Sequence, residues 1–420
     1  MILDRLHILN FKSIASASCL FSPKVNCFIG LNGMGKTNML DALHYLSFTK
    51  SHLSITDSLA VRQGEEASIL EAVYKSDFGD ERQLLLQIRP GHRKILRRNK
   101  KEYTKLSEHI GAFPLVIVSP QDYQLILGGS DERRRFVDRQ LSQQDSVYMA
   151  ALAQYHRILE QRNVLLKSQS ASDAVLEVLD LQLEQVSPLI YERRCAFIRD
   201  FIPLFQHYYT AISGGRDQVR LDYSSSLSDE GGHCLEALRM ARQRDRLMGY
   251  TTLGLHKDDL QMLLEGELIR KVGSEGQNKT FLIALKFAQY ALLSKTNPER
   301  PLLLLDDIFD KLDAERVEHG RELGPVFGTV DRHGRSAENR YLLSVQLHGQ
   351  VARNLSADRH DHTSGLLQID HVEHALKRQL IEIQPVAHVI VRRNRFGVII
   401  DHNRFIAEVA RCLCRIDRAP

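Results

Sequence analysis

At 420 residues the chain is about two to three times the usual domain length, so more than one domain is expected. Its 43% hydrophobic and 26% charged residues are those of an ordinary soluble globular protein, and a net charge of +4 neither demands nor excludes nucleic acid. The six cysteines (Cys19, Cys27, Cys195, Cys234, Cys412, Cys414) never form two successive CxxC pairs, which argues against zinc; with no charged-then-apolar leader and no apolar run near 20 residues, a reducing cytoplasm and no membrane partner are expected.

Residues 1–130 read as strand-rich. Ile2, Leu6, Ile8, Leu9 and Phe11 predict an early strand, and residues 25–29 (Val-Asn-Cys-Phe-Ile) a short one buried on both faces. After residue 37 the period changes: Met39, Leu40, Leu43 and Leu46 form one helical stripe. Residues 69–106 alternate with period two around a turn near Arg98, Asn99 and Lys100, and Leu115-Val116-Ile117-Val118 is another buried strand.

From about 131 the pattern is helical, with Ser130 and Asp131 as cap candidates. Residues 143–210 predict two antiparallel helices forming an arm; 213–233 read as a connector and 234–249 as a further helix. Strand and helix return from 250 to about 319, with Leu302-Leu303-Leu304-Leu305 the clearest strand. The last hundred residues differ: 321–420 contain 14 Arg and a single Lys (Lys377), with weak hydrophobic periodicity until about 380, against 25 Arg and 16 Lys in 1–320.

Three motifs carry chemistry. Gly30-Leu31-Asn32-Gly33-Met34-Gly35-Lys36-Thr37 matches the phosphate-binding loop G-x-x-x-x-G-K-[ST] and stands between an apolar strand and an amphipathic helix, where the mechanism requires it. Its backbone N–H groups and the helix N-terminus suit phosphates, Lys36 the β/γ oxygens, and Thr37 Mg²⁺. Asp306 and Asp307 end the 302–305 strand, the first suited to hold Mg²⁺ and the second to orient an attacking water; alone, the pair could merely begin a turn. Ser274, Gly276 and Gln277 open a helical run and suggest a second anion-binding terminus, best used on a nucleotide held by a partner subunit. Taken singly, an ordinary capped helix explains that motif as well.

The order of these motifs is that of the ABC-type ATPase heads of SMC-like proteins, and the surrounding blocks narrow the resemblance to the RecF family. The block from Asn26 to Leu43, residues 49–52 (Thr-Lys-Ser-His), 119–122, Gly128 to Asp138, Tyr155 to Asn163, and Gly254 to Leu260 resemble family blocks in family order, over residues 1 to about 319. Leu53 departs from the Arg usually found there. The resemblance implies an α/β fold, an ABC-type head (mixed sheet with phosphate loop) with an inserted helical arm. Residues 1–130 then form the N-terminal part of the head, 131–249 the arm, 250–319 the head's C-terminal part, and 320–420 an anomalous basic tail. It further implies ATP and Mg²⁺ as cofactors and an ATP-dependent homodimer on gapped or single-strand/double-strand junction DNA. RecO and RecR are the implied partners in loading RecA during DNA repair, replication and the SOS response, with slow, DNA-stimulated hydrolysis opening the dimer. Residues 310–313 (Asp-Lys-Leu-Asp) resemble the loop that crosses such a dimer interface.

Residues 93–105 are the densest basic stretch and suit either phosphate contact or protection of a solvated edge strand. Arg133, Arg134 and Arg135 are expected to pair in part with Asp131, Glu132 or Asp138, and His52 and His256 to be structural or polar groups near the nucleotide rather than metal ligands. The resemblance stops near residue 319. Either residues 320–420 are translated out of frame, or they are a genuine basic tail; an impaired ATPase or a hydrolysis-deficient adaptor follows from the first, and resequencing the locus decides between them. Another SMC-like or ABC-type head is the remaining functional alternative.

Overall fold

The computed structural model describes residues 1–23, 25–30, 33–168, 172–227, 229, 231–306, 341–346 and 398–400. The chain divides into two units: residues 1–121 with the described residues from 299 onward, and residues 122–298.

In the first unit, alternating apolar residues build a six-stranded antiparallel sheet. Its strands are β1 (Ile2–Phe11), β2 (Ile14–Leu20), β4 (Ser68–Lys75), β5 (Glu81–Ile88), β6 (Ile95–Arg98) and β7 (Lys101–Glu102), in the order β2-β1-β4-β5-β6-β7. Leu70 lies opposite Leu86 and Ala72 opposite Leu84, all buried on one face, which fixes the register. The turn between β6 and β7 holds Asn99 and Lys100 at φ of 49° and 68°, the left-handed pair that tight hairpins favour.

A second, mixed sheet runs β14-β3-β13-β12-β8, with β3 (Val25–Gly30), β8 (Leu115–Val118), β12 (Leu302–Asp306), β13 (Tyr341–Gln346) and β14 (Val398–Ile400). Strands β3, β13, β12 and β8 run parallel and β14 is antiparallel. Hydrophobic periodicity is weak between 321 and about 380, yet β13 fills the place between β3 and β12. Its sequence Tyr-Leu-Leu-Ser-Val-Gln is neither a continuous apolar run nor a strict alternation, so it gives no clear strand signal. Helix α1 (Lys36–Phe48) is buried on nearly all sides rather than along one stripe, and a one-turn α2 (Asp57–Ala60) follows.

The second unit is mostly helical: α3 (Gln124–Leu127), α4 (Ser130–Gln144), α5 (Ser146–Ser168), α6 (Asp173–Ser213), α7 (Leu235–Met248), α8 (Ile269–Val272) and α9 (Glu275–Thr296). The expected antiparallel arm is α5 with α6, since Tyr148 meets Arg194 while Arg162 meets Asp180. Helix α4 starts at Ser130 with Gly129 as its cap, so Ser130 is not the cap. The stretch read as a connector contains β9 (Val219–Ser224), which joins β10 (Asp259–Leu264) and β11 (Glu267–Leu268) in a small antiparallel sheet. Only Leu221 of β9 is buried, and the flanking Gly and Ser runs mask so short an alternation.

A further correction concerns residues 250–298, expected with the head's C-terminal part. They group with the arm, because α9 lays Phe281 against Phe205 and Tyr209 of α6 (ring centroids 4.6 and 5.8 Å) and Phe287 against Tyr208 (6.0 Å). Among the described residues no helix is long and apolar enough to cross a membrane.

Inside the arm, Arg162 donates to Asp180 and Asp245 (both 2.7 Å) and to Thr251 (2.9 Å), and all three charged side chains are fully buried. Truncating Arg162 to Ala leaves buried Asp245 with no cation among the described residues and only the Thr252 donors, and leaves buried Asp180 with Arg242 alone. A loss of about 3–5 kcal/mol is expected, read as a lower urea midpoint of the helical circular-dichroism signal. An unchanged midpoint would show that water reaches the cluster.

Candidate nucleotide-binding site

The loop between β3 and α1 has the backbone a phosphate cradle needs. Gly33 and Gly35 sit at φ of 79° and 89°, where side chains are strained. A Cβ on Gly35 would also press on Ile14 Cγ1 at 3.4 Å. Gly35 caps α1 without any side-chain hydrogen bond, and no acidic residue stands in the helix's first turn. That start therefore carries partial positive charge with no acidic side chain in its own first turn. Ser13, in the β1–β2 turn, buttresses it by accepting from the Asn38 amide at 2.8 Å. Lys36 is buried, while Thr37 and Met34 are exposed. Leu31 and Asn32 lie outside the described residues.

Gly30 ends β3 opposite Gln346 of β13, and Asp306 ends β12 opposite Ser344 of the same strand. The loop and Asp306 thus share the C-terminal edge of the parallel strands, one strand apart, about 10 Å across the sheet. Ligands of open α/β sheets bind at that edge. A carboxylate and an exposed Thr hydroxyl on one sheet edge are oxygen donors of the kind Mg²⁺ takes, alongside phosphate oxygens. Asp307 and the 310–313 loop lie outside the described residues.

The helix carrying Lys36 and Thr37 is immobilised from three sides. Buried Asp41 accepts from the Ser51 hydroxyl (2.8 Å) and the His52 backbone N–H (2.6 Å) and pairs with Lys12 (2.6 Å). His52 Nε2 meets the Ser119 hydroxyl at 2.8 Å, just beyond β8. Near the helix's other end Ser47 donates to Phe113 O and His109 Nε2 to Leu46 O, both at 2.6 Å. Lys12, Ser13, Asp41 and His109 were not singled out from the sequence. Only their place in or near the family-like block could have flagged Asp41.

In the other unit, Ser274 caps α9 and forms a capping box with Gln277: the Ser hydroxyl accepts from the Gln277 N–H (3.3 Å), and the Gln277 carbonyl accepts from the Ser274 N–H (2.9 Å). Gly276 lies in the first turn, its carbonyl bonded by Thr280 at 2.9 Å.

The basic residues fall into two groups. Arg89, Arg93, Arg97, Lys100, Lys101 and Lys105 are exposed on or beside the β5–β7 edge, with Arg97 paired to Glu102. Arg134 and Arg135 pair with Asp131 and Glu132 as expected, but Arg133 reaches across to Asp259 in a two-pronged pair (2.6 and 3.0 Å). Asp138 serves Arg194 instead. His256 donates from Nε2 to Thr251 O (3.0 Å) with Nδ1 on Tyr155 (2.9 Å), and burial lowers its pKa to about 4.

A family model described as AAA ATPase domain matches residues 1–111. The chain is 58% identical over 335 residues to the DNA replication and repair protein RecF of Porphyromonas gingivalis, covering 78% of this chain and 92% of that one. It is 52% identical over 318 residues to the protein of the same name from Parabacteroides distasonis, covering 76% and 86%. Among solved structures, the recombination mediator protein RecF in its ATPrS and ATP forms superposes with TM-scores of 0.74 and 0.73, at 24% identity, covering 83% of this chain and 93% of that one.

Burial holds His109 at a pKa of about 4, below its ordinary 6.5. Its contribution is complete above pH 6.5 and is lost as the pH falls through 4, because the unfolded chain takes up the proton first. The urea midpoint should therefore fall on going from pH 7 to pH 5, and His109→Gln should flatten that fall. Parallel pH curves for the two proteins would contradict it.

Proposed function

The chain belongs to the RecF family of DNA replication and repair proteins, and we propose that it is an ATP-dependent DNA-binding protein of recombinational repair and replication restart. The observation that carries the reading is the strained glycine loop at an uncapped helix start, set one strand from Asp306 on the same sheet edge. In this reading Lys36 neutralises the β/γ-phosphate oxygens, Thr37 and Asp306 hold Mg²⁺, and Asp307 orients the attacking water. Bound Mg²⁺ supplies charge neutralisation on the phosphates.

Ser274, Gly276 and Gln277 of one copy close over the nucleotide held by the other, so ATP binding makes a homodimer and slow hydrolysis opens it. The dimer engages gapped or single-strand/double-strand junction DNA and, with RecO and RecR, helps load RecA. A second reading, a hydrolysis-deficient adaptor, rests on the Arg-rich, Lys-poor composition of residues 321–420.

Lys36→Ala should abolish ATP-dependent dimerisation in analytical ultracentrifugation while leaving the circular-dichroism spectrum unchanged. ATP turnover measured with and without gapped duplex separates the two readings: DNA-stimulated turnover excludes the adaptor, and dimerisation of Lys36→Ala would sink the phosphate-loop assignment.

A further inference from the structure

The Gln277 side chain is held by more than its own capping box. Its Nε2 donates to Asp217 Oδ1 at 3.0 Å, from the loop between α6 and β9, while its Oε1 accepts from the Ser274 N–H at 2.9 Å. The other Asp217 oxygen accepts from the Tyr209 hydroxyl at 2.8 Å. Tyr209 is fully buried in α6 and packs edge-on against Phe281 of α9.

An amide can lie either way round, and its orientation is set by its partners. A carboxylate can only accept, so Asp217 forces Nε2 towards itself. The carbonyl is thereby turned onto the Ser274 N–H, the one contact the capping box needs from it. With the amide reversed, an NH₂ group would face the Ser274 N–H, two donors in opposition. The Ser274 hydroxyl accepts from the Gln277 N–H, which leaves its own proton to donate outward. Tyr209 in turn fixes Asp217 to the same helix pair that carries α9.

We propose that Asp217 is a positioning residue for the Ser274–Gln277 helix start: by dictating the Gln277 amide orientation it keeps Ser274 and the first turn of α9 set to receive the terminal phosphate of a nucleotide carried by a second copy of the chain. This rests on the in-trans role given to Ser274, Gly276 and Gln277 above. Nothing in the sequence ties Asp217 to Gln277, because the two are 60 positions apart.

The test is a double-mutant cycle on the full chain, with Asp217→Ala, Gln277→Ala and the pair, read as the dimer dissociation constant at saturating ATP. Each single change should raise that constant about tenfold, as loss of a charge-assisted hydrogen bond predicts, and the pair should do no worse than either alone. Fluorescent-nucleotide binding by the monomer is the readout that should not move, while the urea midpoint reports separately the stability lost with the Tyr209 and capping-box bonds. Additive effects, or weakened monomer binding, would overturn the proposal. If Gln277→Ala itself leaves dimerisation intact, the in-trans reading fails; if Gln277→Ala weakens the dimer and Asp217→Ala does not, only the positioning role fails. Should Asp217→Ala not fold, Asp217→Asn replaces it, keeping the volume while removing the acceptor-only constraint, with about a threefold effect expected.

Discussion

The first unit depends on one buried carboxylate. Asp41 lies near the middle of the phosphate-loop helix, 1% exposed, and gathers donors from the β1–β2 turn (Lys12) and from the segment after the helix (Ser51, His52). An unpaired carboxylate there would be untenable in a dry interior, so these segments must come together for the sheet and helix to pack at all. The cost of bringing them in is offset only when every donor is in place. That condition makes α1 rigid, and rigidity is what a phosphate site at its N-terminus requires, since backbone N–H groups bind well only when they need not reorganise.

The second unit repeats the same logic with the charges reversed. Arg194, 3% exposed, donates to Asp138 (3.0 Å), Asp258 (2.9 Å) and Leu255 O (2.9 Å), tying α4, α6 and the 254–260 block to one guanidinium. Burial pushes the Asp258 carboxyl upward, against the pull of Arg194 and of the Tyr223 hydroxyl. Arg162 does the same work further along the arm. A planar, always-charged guanidinium with several donors can satisfy several buried carboxylates at fixed angles, which a lysine could not. These clusters tie α6 to α4, α5 and α7, whereas α6 meets α9 through aromatic rings and Asp217 links Tyr209 of α6 to the Ser274 helix start.

What the sequence made legible follows from how local each signal is. The strand and helix that flank the glycine loop, the β12 strand and the arm helices are written in contiguous residues, so apolar run and period read them with bounds close to those observed. Ser130 was misplaced as a cap because a Gly cap leaves no side-chain signature, and β9 was lost because one buried residue in six cannot outweigh its Ser- and Gly-rich flanks. The grouping of residues 250–298 with the arm could not be read, since it rests on aromatic contacts between α6 and α9 far apart in sequence. The partners of Asp41 and Gln277 are hidden for the same reason: hydrogen bonds between distant segments have no period.

The two helix starts offered to phosphate are built differently, and the difference has an energetic meaning. The start of α1 has no side-chain cap from Gly35 and no acidic residue in its first turn, which suits it to an external anion. The start of α9 satisfies itself through Ser274 and Gln277, with Asp217 holding the amide. A self-satisfied terminus costs nothing while a monomer waits in water, and the Ser274 hydroxyl can still donate without breaking the box. The first start is thus suited to hold a nucleotide in a single chain, and the second to a contact made and released repeatedly. In the proposed dimer cycle that asymmetry is an advantage, because the surface exposed on separation carries no orphaned donors from the Ser274–Gln277 box.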